Sequence, residues 1–246
     1  MDGTLLSSDD QILPSSIAAI HQLQNNRVLP VICTGRNIKE IQNVIAITGI
    51  DTLITENGSY IKHHQTIRIE NIRKKVIGQL VKKANQLGDV VGFRNANGTA
   101  ITHINKFTRT CYGGYFRWSK VDPHYYLKRP INFLNVFTEG QDVGQYRKAF
   151  RNKLNIVHND PHVLDISRFG VNKASGIRDV LNDFNFNHLP TYAFGDGYND
   201  ISMFKEVKHS IAMENADQEC KQFAEYQTDS NDDNGIANAL RRLRLI

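Results

Sequence analysis

The chain has 246 residues, of which 40% are apolar and 22% charged, and its formal net charge is +5. This length suits one large domain or two modest ones, and the composition is that of a folded rather than a disordered chain. Because no apolar run approaches the ~20 residues of a membrane span and no secretion signal is visible, we expect a cytoplasmic protein with no membrane partner.

The three cysteines, Cys33, Cys111 and Cys220, are widely spaced and form no CxxC pair. This pattern argues against a disulfide framework and against a zinc site. It favours reduced thiols, as in a cytoplasm.

The charge is unevenly distributed along the chain. Residues 76–168 contain fourteen Lys and Arg and six Asp and Glu, a net charge of +8, whereas the rest of the chain has a net charge of −3. The asymmetry predicts two modules, and a basic module could attract phosphorylated metabolites or nucleic acid. A solvated basic surface is an equal alternative. Since no nucleic-acid motif accompanies these residues, we expect no nucleic-acid partner.

The first part of the chain alternates helices and strands. Residues Ser15–Asn25 predict a helix with a serine cap. Residues Val28–Cys33 predict a short strand that is apolar throughout, as expected when helices cover both faces of a sheet. The next predicted elements are a helix at Asn37–Ala46, a strand at Thr52–Thr55 and a hairpin over residues 56–69 with Asn57-Gly58 as its turn.

The pattern changes near Arg73. A helix at Ile72–Leu87 leads into β-like segments at Val90–Arg94, Ala100–Ile104 and Ile131–Thr138, a helix at Asp142–Lys153 and a strand at Val163–Ser167. After Arg168 the alternation returns, with helices at Asn172–Phe184, Tyr198–Glu206, Asp217–Phe223 and Asn234–Arg244 and strands at Thr191–Phe194 and Ser210–Met213.

Two α/β stretches around an insert predict one parallel-sheet α/β core that an α+β domain interrupts. The predicted core comprises residues 1–72 and 169–246, and the inserted domain residues 73–168. In such sheets ligands bind at the carboxyl ends of the strands. The polar motifs described next all lie at predicted strand-to-helix turns.

The sequence AFGDGYND, residues 193–200, places polar side chains directly after an apolar strand. Asp196 and Asp200 would supply hard oxygen ligands, which suit Mg²⁺. Asn199 could orient a phosphate or a metal-bound water. The alternative is a turn with helix-capping Asp and Asn.

Two further strings carry groups that suit a phosphate. In VICTGRN, Thr34 follows a strand and Gly35 opens a helix, so that a hydroxyl and free N–H groups meet at a helix N-terminus. In GVNKASGI, Lys173 lies in the first helical turn, where a cation opposes the helix dipole unless an anion lies nearby. The alternatives are an ordinary strand exit and a solvated lysine.

The opening string DGTLL places Asp2 beside a glycine and a threonine. These four strings, in this order, resemble the haloacid dehalogenase (HAD) superfamily of phosphatases, and more narrowly its Cof-type sugar-phosphatase branch with a C2-type (IIB) cap. The resemblance covers nearly the whole chain, including ENGSYI before the insert and LDISRFGVNKASGI and TDSNDDNGIANAL after it. It implies a Rossmann-like core with an inserted cap domain.

The resemblance implies a metal site. The first motif of the family is Asp-x-Asp-Gly-Thr, in which Asp2 matches the second aspartate, the general acid and base whose backbone carbonyl helps to bind Mg²⁺. Asp196 matches a Mg²⁺ ligand of the fourth motif. Asn199 and Asp200 match its supporting polar residues. We expect Asp200 to bind the metal as well.

The resemblance also implies a phosphate site. Thr34 matches the hydroxyl that holds the phosphoryl group, and Gly35 adds a backbone amide. Lys173 matches the cation that steadies the phosphate and the nucleophile. Asn199 is expected to contact the phosphate as well.

The first aspartate of the motif, the nucleophile of the family, would precede Met1 and is not among the 246 residues. Neither is the apolar strand that delivers it in the family, so two neighbouring strands of the sheet would keep unpaired backbone groups. We therefore expect that a start at Met1 is too late by roughly ten residues. A chain without these residues is expected to be inactive.

The predicted function is that of a Mg²⁺-dependent phosphomonoester hydrolase that acts on small phosphorylated metabolites through an aspartyl-phosphate. The basic cap is expected to close over the site, and Arg94, Arg117 and Arg129 are candidates to meet a second anionic group. Two alternatives are a catalytically inactive binding protein and a related phosphomutase. The sequence leaves the substrate and the oligomeric state open.

Overall fold

The computed structural model describes residues 1–110, 120–140 and 142–246. Cys111 and Arg117 lie outside the described residues. The helices are α1 (Pro14–Asn25), α2 (Gln42–Thr48), α3 (Lys74–Leu87), α4 (Lys106–Thr110), α5 (Tyr125–Lys128), α6 (Val143–Ala149), α7 (Lys173–Asp183), α8 (Ile201–Phe204), α9 (Gln218–Lys221) and α10 (Gly235–Arg242).

The strands follow the same chain order. They are β1 (Val31–Cys33), β2 (Thr52–Thr55), β3 (Tyr60–His63), β4 (Thr66–Ile69), β5 (Val90–Asn95), β6 (Gly98–Ile101), β7 (Lys120–Val121), β8 (Phe133–Phe137), β9 (Leu154–Asp160), β10 (Val163–Arg168), β11 (Tyr192–Gly195), β12 (His209–Ala212) and β13 (Tyr226–Gln227).

The chain divides into two compact units. Residues Met1–Ile67 and Lys173–Ile246 form the first, here called the core unit, and Arg68–Asn172 form the second, here called the insert unit. The sequence predicts the breaks after residues 72 and 168. That the insert unit works as a cap stays a prediction.

The core unit contains two sheets. One has the order β1-β2-β3-β4, with β1 parallel to β2 and β2 antiparallel to β3. The other has the order β11-β12-β13 and is parallel throughout. The predicted α/β class with parallel strands is therefore what the structure shows. β1 and β11 are each the last strand of their sheet.

The insert unit is built on one sheet of order β7-β6-β5-β8-β10-β9, antiparallel except for the β6–β7 pair. Helix α3 buries Val76, Ile77, Leu80 and Ala84, which recur every three or four residues on one face. They join the largest apolar cluster of the unit, which also holds Leu134. Each buried Leu or Ile side chain contributes about 1.5–3 kcal/mol to stability.

Three local predictions for the core unit need correction. Helix α1 has no serine cap, since it begins at Pro14, whose missing N–H costs nothing in the first turn. Strand β1 starts only at Val31, because the Val28 amide donates to Leu23 O at 2.9 Å and closes the end of α1. Asn37 caps a 3-10 turn, Ile38–Ile41, that precedes α2.

The expectation that β1 is covered on both faces is not met, and β1 differs in this from β2. Val31 keeps 37% of its surface exposed, whereas all four residues of β2 are buried. In the insert unit β9 was not predicted, because its apolar residues alternate with Asn and His and form no continuous run. Among the helices that the structure describes, none is both long enough and apolar enough to cross a membrane.

Candidate active site

Thr34 lies directly beyond the carboxyl end of β1, and its side chain is buried. Its amide donates to Ile54 O at 2.8 Å, which continues the β1–β2 pairing by one residue. Its hydroxyl accepts from the Arg36 amide at 3.1 Å. The segment after β1 therefore turns tightly back on the threonine hydroxyl.

Asn57 connects this turn with the fourth motif. A Cβ on Gly35 would lie 3.3 Å from Asn57 Oδ1, and the same oxygen accepts from Asn199 Nδ2 at 3.3 Å. The Asn57 amide donates to Thr34 O at 3.0 Å. The sequence predicts Asn57 only as a turn residue, because it precedes Gly58, and its φ of 53° agrees with a turn. No local pattern indicates its contact with Asn199.

Lys173 and Asp200 form a buried ion pair. Lys173 Nζ donates to Asp200 Oδ1 at 2.6 Å, and both side chains are almost fully buried. Asp200 Oδ2 accepts from the amides of Asp196 and Gly197 at 3.0 and 3.1 Å. Burial by itself would raise the pKa of Asp200, but the charge and hydrogen bond of Lys173, with the N-terminal charge and the Gly197 amide, together lower this pKa below the ordinary value. Both groups are therefore charged at neutral pH.

Burial by itself would lower the pKa of Lys173, but the charge and hydrogen bond of Asp200, with the smaller effects of Cys33 and Asp196, together raise it. Lys173 lies in the first turn of α7, where a cation opposes the helix dipole, and the carboxylate of Asp200 is the nearby anion that offsets this cost.

Asp196 is held by the opening segment of the chain. Thr4 Oγ1 donates to Asp196 Oδ1 at 2.5 Å. Gly3 has a left-handed φ of 62°, and a Cβ on it would lie 2.3 Å from Asp196 Oδ2, so that any other residue would strain the backbone and displace the Asp196 carboxylate. Burial raises the pKa of Asp196.

The Asp2 carboxylate is 62% exposed and binds Arg36. Arg36 Nε lies 3.0 Å from both of its oxygens, and a guanidinium nitrogen of the same arginine also contacts Asp10 at 2.7 Å. Burial would raise the pKa of Asp2, but the hydrogen bond and the charge of Arg36 lower it below the ordinary value. A general acid has to be protonated, and the Arg36 contact favours the opposite state.

The predicted residues thus fall into linked groups. Thr34 and Gly35 are linked with Asn199 through Asn57, and Lys173 is linked with Asp196 through Asp200. Asp2 is next to Gly3, whose backbone lies against the Asp196 carboxylate. The carboxylate of Asp2 itself binds Arg36.

The described residues include no group of three or more His, Cys, Asp or Glu side chains arranged to hold a metal ion. Mg²⁺, however, usually keeps several waters and takes one or two carboxylates together with substrate phosphate. Asp196, a partly buried carboxylate with one side-chain donor on it, matches that requirement. Asp200, with Lys173 on one oxygen and two amides on the other, matches it less well. The donor chemistry of Asp196 therefore fits Mg²⁺ better than that of Asp200 does.

Cys33, at the end of β1, is poorly suited to act as a nucleophile. Burial raises the pKa of its thiol to about 11, and burial also raises that of Cys220 to about 12. The thiolate is the nucleophilic form, and neither side chain adopts it at neutral pH. Both cysteines are free thiols.

Two of the three candidate arginines of the insert unit are described. Arg94 is buried, with its guanidinium carbon 5.6 Å from the centroid of Phe133. The guanidinium of Arg129 lies 5.0 Å from the centroid of Tyr125. Contact of either with a substrate stays a prediction.

Comparison with known proteins places the chain in a family. The sequence model of the haloacid dehalogenase-like hydrolases matches residues 1–240. The 5-amino-6-(5-phospho-D-ribitylamino)uracil phosphatase YcsE of Bacillus subtilis (strain 168) is 30% identical over 244 residues, which are 98% of this chain and 92% of that protein. The chain belongs to the haloacid dehalogenase-like hydrolase family, as the motifs predict.

Solved structures agree with this assignment. A hypothetical protein from Geobacillus kaustophilus HTA426 is 28% identical, with a TM-score of 0.86 over 99% of this chain and 96% of that one. The HAD subclass IIB sugar phosphatase BT4131 has a TM-score of 0.91 at 22% identity and covers 100% of this chain and 97% of its own, which shows the shared fold. The chain is an enzyme of the phosphatase type.

Proposed function

We propose that the protein is a Mg²⁺-dependent phosphomonoester hydrolase that acts on a small phosphorylated metabolite. The observation that carries the proposal is the buried Lys173–Asp200 pair, linked through the Asp196 amide to the end of β11. A lysine that stays charged while almost fully buried can offset the charge of a phosphoryl group without reorganisation. Family membership makes this the expected chemistry.

The proposed phosphate-binding residues lie on two loops. The hydroxyl of Thr34 and the backbone amide of Gly35 would position the phosphoryl oxygens. Asn57 would hold Asn199 in place for the same oxygens, since the two side chains are hydrogen-bonded. We assign Asp200 to positioning Lys173, because its carboxylate is already occupied.

Asp196 and the Asp2 carbonyl would hold Mg²⁺, which when bound neutralises charge on the phosphoryl oxygens. Asp2 would protonate the leaving alkoxide and later take a proton from water. For this step its carboxylate has to leave Arg36. The nucleophile that the resemblance implies is an aspartate directly before Met1, which would form the aspartyl-phosphate.

The names of similar proteins indicate the substrate class. YcsE is named for a phosphorylated ribityl compound, and BT4131 for sugar phosphates. We propose a phosphate ester of a sugar or a related polyol. The metabolite itself is left to a substrate screen.

The test uses two proteins: the 246-residue chain and the same chain with an apolar strand ending in aspartate fused before Met1. We expect the first to hydrolyse p-nitrophenyl phosphate at the background rate, and the second to show Mg²⁺-dependent turnover. Asp196→Asn in the extended protein should abolish that turnover, whereas Asp9→Asn, which changes an exposed aspartate, should not.

Three results would contradict the proposal. They are strong turnover by the 246-residue chain, turnover that survives Asp196→Asn, and turnover unaffected by a metal chelator. Exchange of phosphate between the positions of a sugar, with no net release, would assign the phosphomutase reaction instead.

A further inference from the structure

Glu56 is a buried glutamate at the carboxyl end of β2. It follows Thr55 directly, and none of its surface is exposed. Removing a carboxylate from water is costly unless hydrogen bonds compensate it. Its backbone has a φ of 51°, in the left-handed region that glycine and asparagine adopt more readily than glutamate. Such backbone strain costs about 1–3 kcal/mol and clusters at functional sites. Because neither burial nor backbone conformation favours a glutamate here, its side chain must have a role.

The carboxylate of Glu56 binds the side chain of Asn37. Asn37 Nδ2 donates to Glu56 Oε1 at 2.8 Å, and both side chains are buried. At the other end of the same amide group, Asn37 Oδ1 accepts from the Lys39 amide at 3.0 Å and caps the 3-10 turn. A rotated amide group would set its oxygen against the carboxylate and its NH₂ against a backbone N–H. Glu56 therefore fixes the orientation of Asn37.

Two backbone hydrogen bonds join the same two segments of the chain. The amide of Glu56 donates to Arg36 O at 3.1 Å, and the amide of Asn57 donates to Thr34 O at 3.0 Å. Gly35, whose amide is a proposed phosphate ligand, lies between these two acceptors. The backbone that presents the proposed phosphate ligands is therefore attached to the turn that begins at Glu56.

Helix α7, which begins at Lys173, packs against the same turn. A Cβ on Gly176 would lie 3.3 Å from Gly58 Cα and 2.5 Å from Ile54 Cγ2. The helix thus approaches the turn as closely as the absence of a side chain at Gly176 allows. The turn that carries Glu56 contacts both the helix that presents the lysine and the segment that presents the threonine hydroxyl.

We infer that Glu56 is a positioning residue for the phosphate site. Acting through Asn37, it holds the Thr34 hydroxyl and the Gly35 amide at a fixed place relative to Lys173. Its effect on phosphate is geometric, because a carboxylate by itself repels a phosphate ion. The inference rests on the proposed function, since it takes Thr34 and Gly35 as phosphate ligands.

The test measures the Kd of inorganic phosphate for the 246-residue protein by titration calorimetry in the presence of Mg²⁺. Glu56→Ala should raise this Kd at least about tenfold, or 1.4 kcal/mol, because Asn37 loses its acceptor. Loss of a negative charge alone would lower the Kd, so the sign of the change separates positioning from simple electrostatics. Glu56→Gln loses the charge but keeps an acceptor oxygen, and it should keep the Kd of the parent protein or lower it.

Two further variants serve as controls. Asn37→Ala should raise the Kd as Glu56→Ala does, and the double variant should bind no more weakly than either single one, because both remove the same hydrogen bond. Thr48 is completely buried in α2, where its hydroxyl donates to Val44 O at 2.7 Å. Thr48→Val should lower the Tm and leave the Kd of phosphate unchanged.

Amide hydrogen exchange reads the turn without phosphate. In Glu56→Ala the amide of Asn57, which donates to Thr34 O, should exchange faster by at least about tenfold, whereas the amide of Leu53 in β2 should change less. Faster exchange at Asn57 with an unchanged Kd of phosphate would give Glu56 a purely structural role and overturn the inference.

The inference also fails if Glu56→Ala binds phosphate as tightly as the parent protein or more tightly. It fails if Glu56→Gln or Thr48→Val weakens binding as much as Glu56→Ala does. A parent protein that binds no phosphate would overturn the inference together with the proposed phosphate site. Equal binding by the parent protein and Glu56→Ala would overturn the inference alone.

Discussion

Replacing Lys173 by methionine should destabilise the core unit by about 3 kcal/mol. Removing one partner of a buried ion pair costs about 3–5 kcal/mol, because the other charge stays buried without compensation. The lower end applies here, since Asp200 keeps the hydrogen bonds from the amides of Asp196 and Gly197. A loss of 3 kcal/mol raises the opening equilibrium constant more than about a hundredfold.

Native-state hydrogen exchange of the buried strand β2, Thr52–Thr55, measures this loss within the core unit itself. The double variant Lys173→Met, Asp200→Asn should lose less than the sum of the single variants, with a coupling of about 1–3 kcal/mol. Exchange within threefold of the parent protein, or strict additivity, would refute the reasoning that this pair is buried and mutually compensated.

The same pair predicts a dependence on pH. Because Lys173 lowers the pKa of Asp200, the stabilisation is fully present above the ordinary pKa of an aspartate, about 3.9, and is lost as the pH falls below it. The Asp200→Asn variant should lack this part of the acid sensitivity. An unchanged acid transition in that variant would contradict the assignment.

Two further predictions concern single contacts. Gly3→Ala should lower the Tm more than Gly49→Ala, since both positions have positive φ but the added Cβ at Gly3 would lie 2.3 Å from a carboxylate oxygen, against 3.9 Å to the nearest atom at Gly49. The strain alone costs about 1 kcal/mol, and equal shifts in Tm would contradict the clash. In the insert unit Tyr146 Oη donates to Asp89 Oδ2 at 2.7 Å, so Tyr146→Phe removes one of the donors to this buried carboxylate and should cost about 1–3 kcal/mol. Urea unfolding measures this loss, and a change below 0.5 kcal/mol would contradict it.

The sequence by itself determined the family, the α/β class and the places where polar residues follow strands. These features are local or depend on order along the chain: apolar runs, turn residues and four short motifs in a fixed sequence. Thr34, Lys173 and Asp196 could therefore be named as site candidates from their neighbours alone. The boundaries of α1 and β1 could not, since a proline at Pro14 and a backbone contact from Val28 decided them.

The tertiary structure decided which groups meet. Lys173 pairs with a residue 27 positions away, Thr4 with one 192 positions away and Arg36 with one 34 positions away. Only the fold decided that Asp2 faces an arginine and that Asp200 is occupied by Lys173. Local propensity acts over a few residues, whereas an ion pair or a strand edge depends on segments that meet only after the chain has folded.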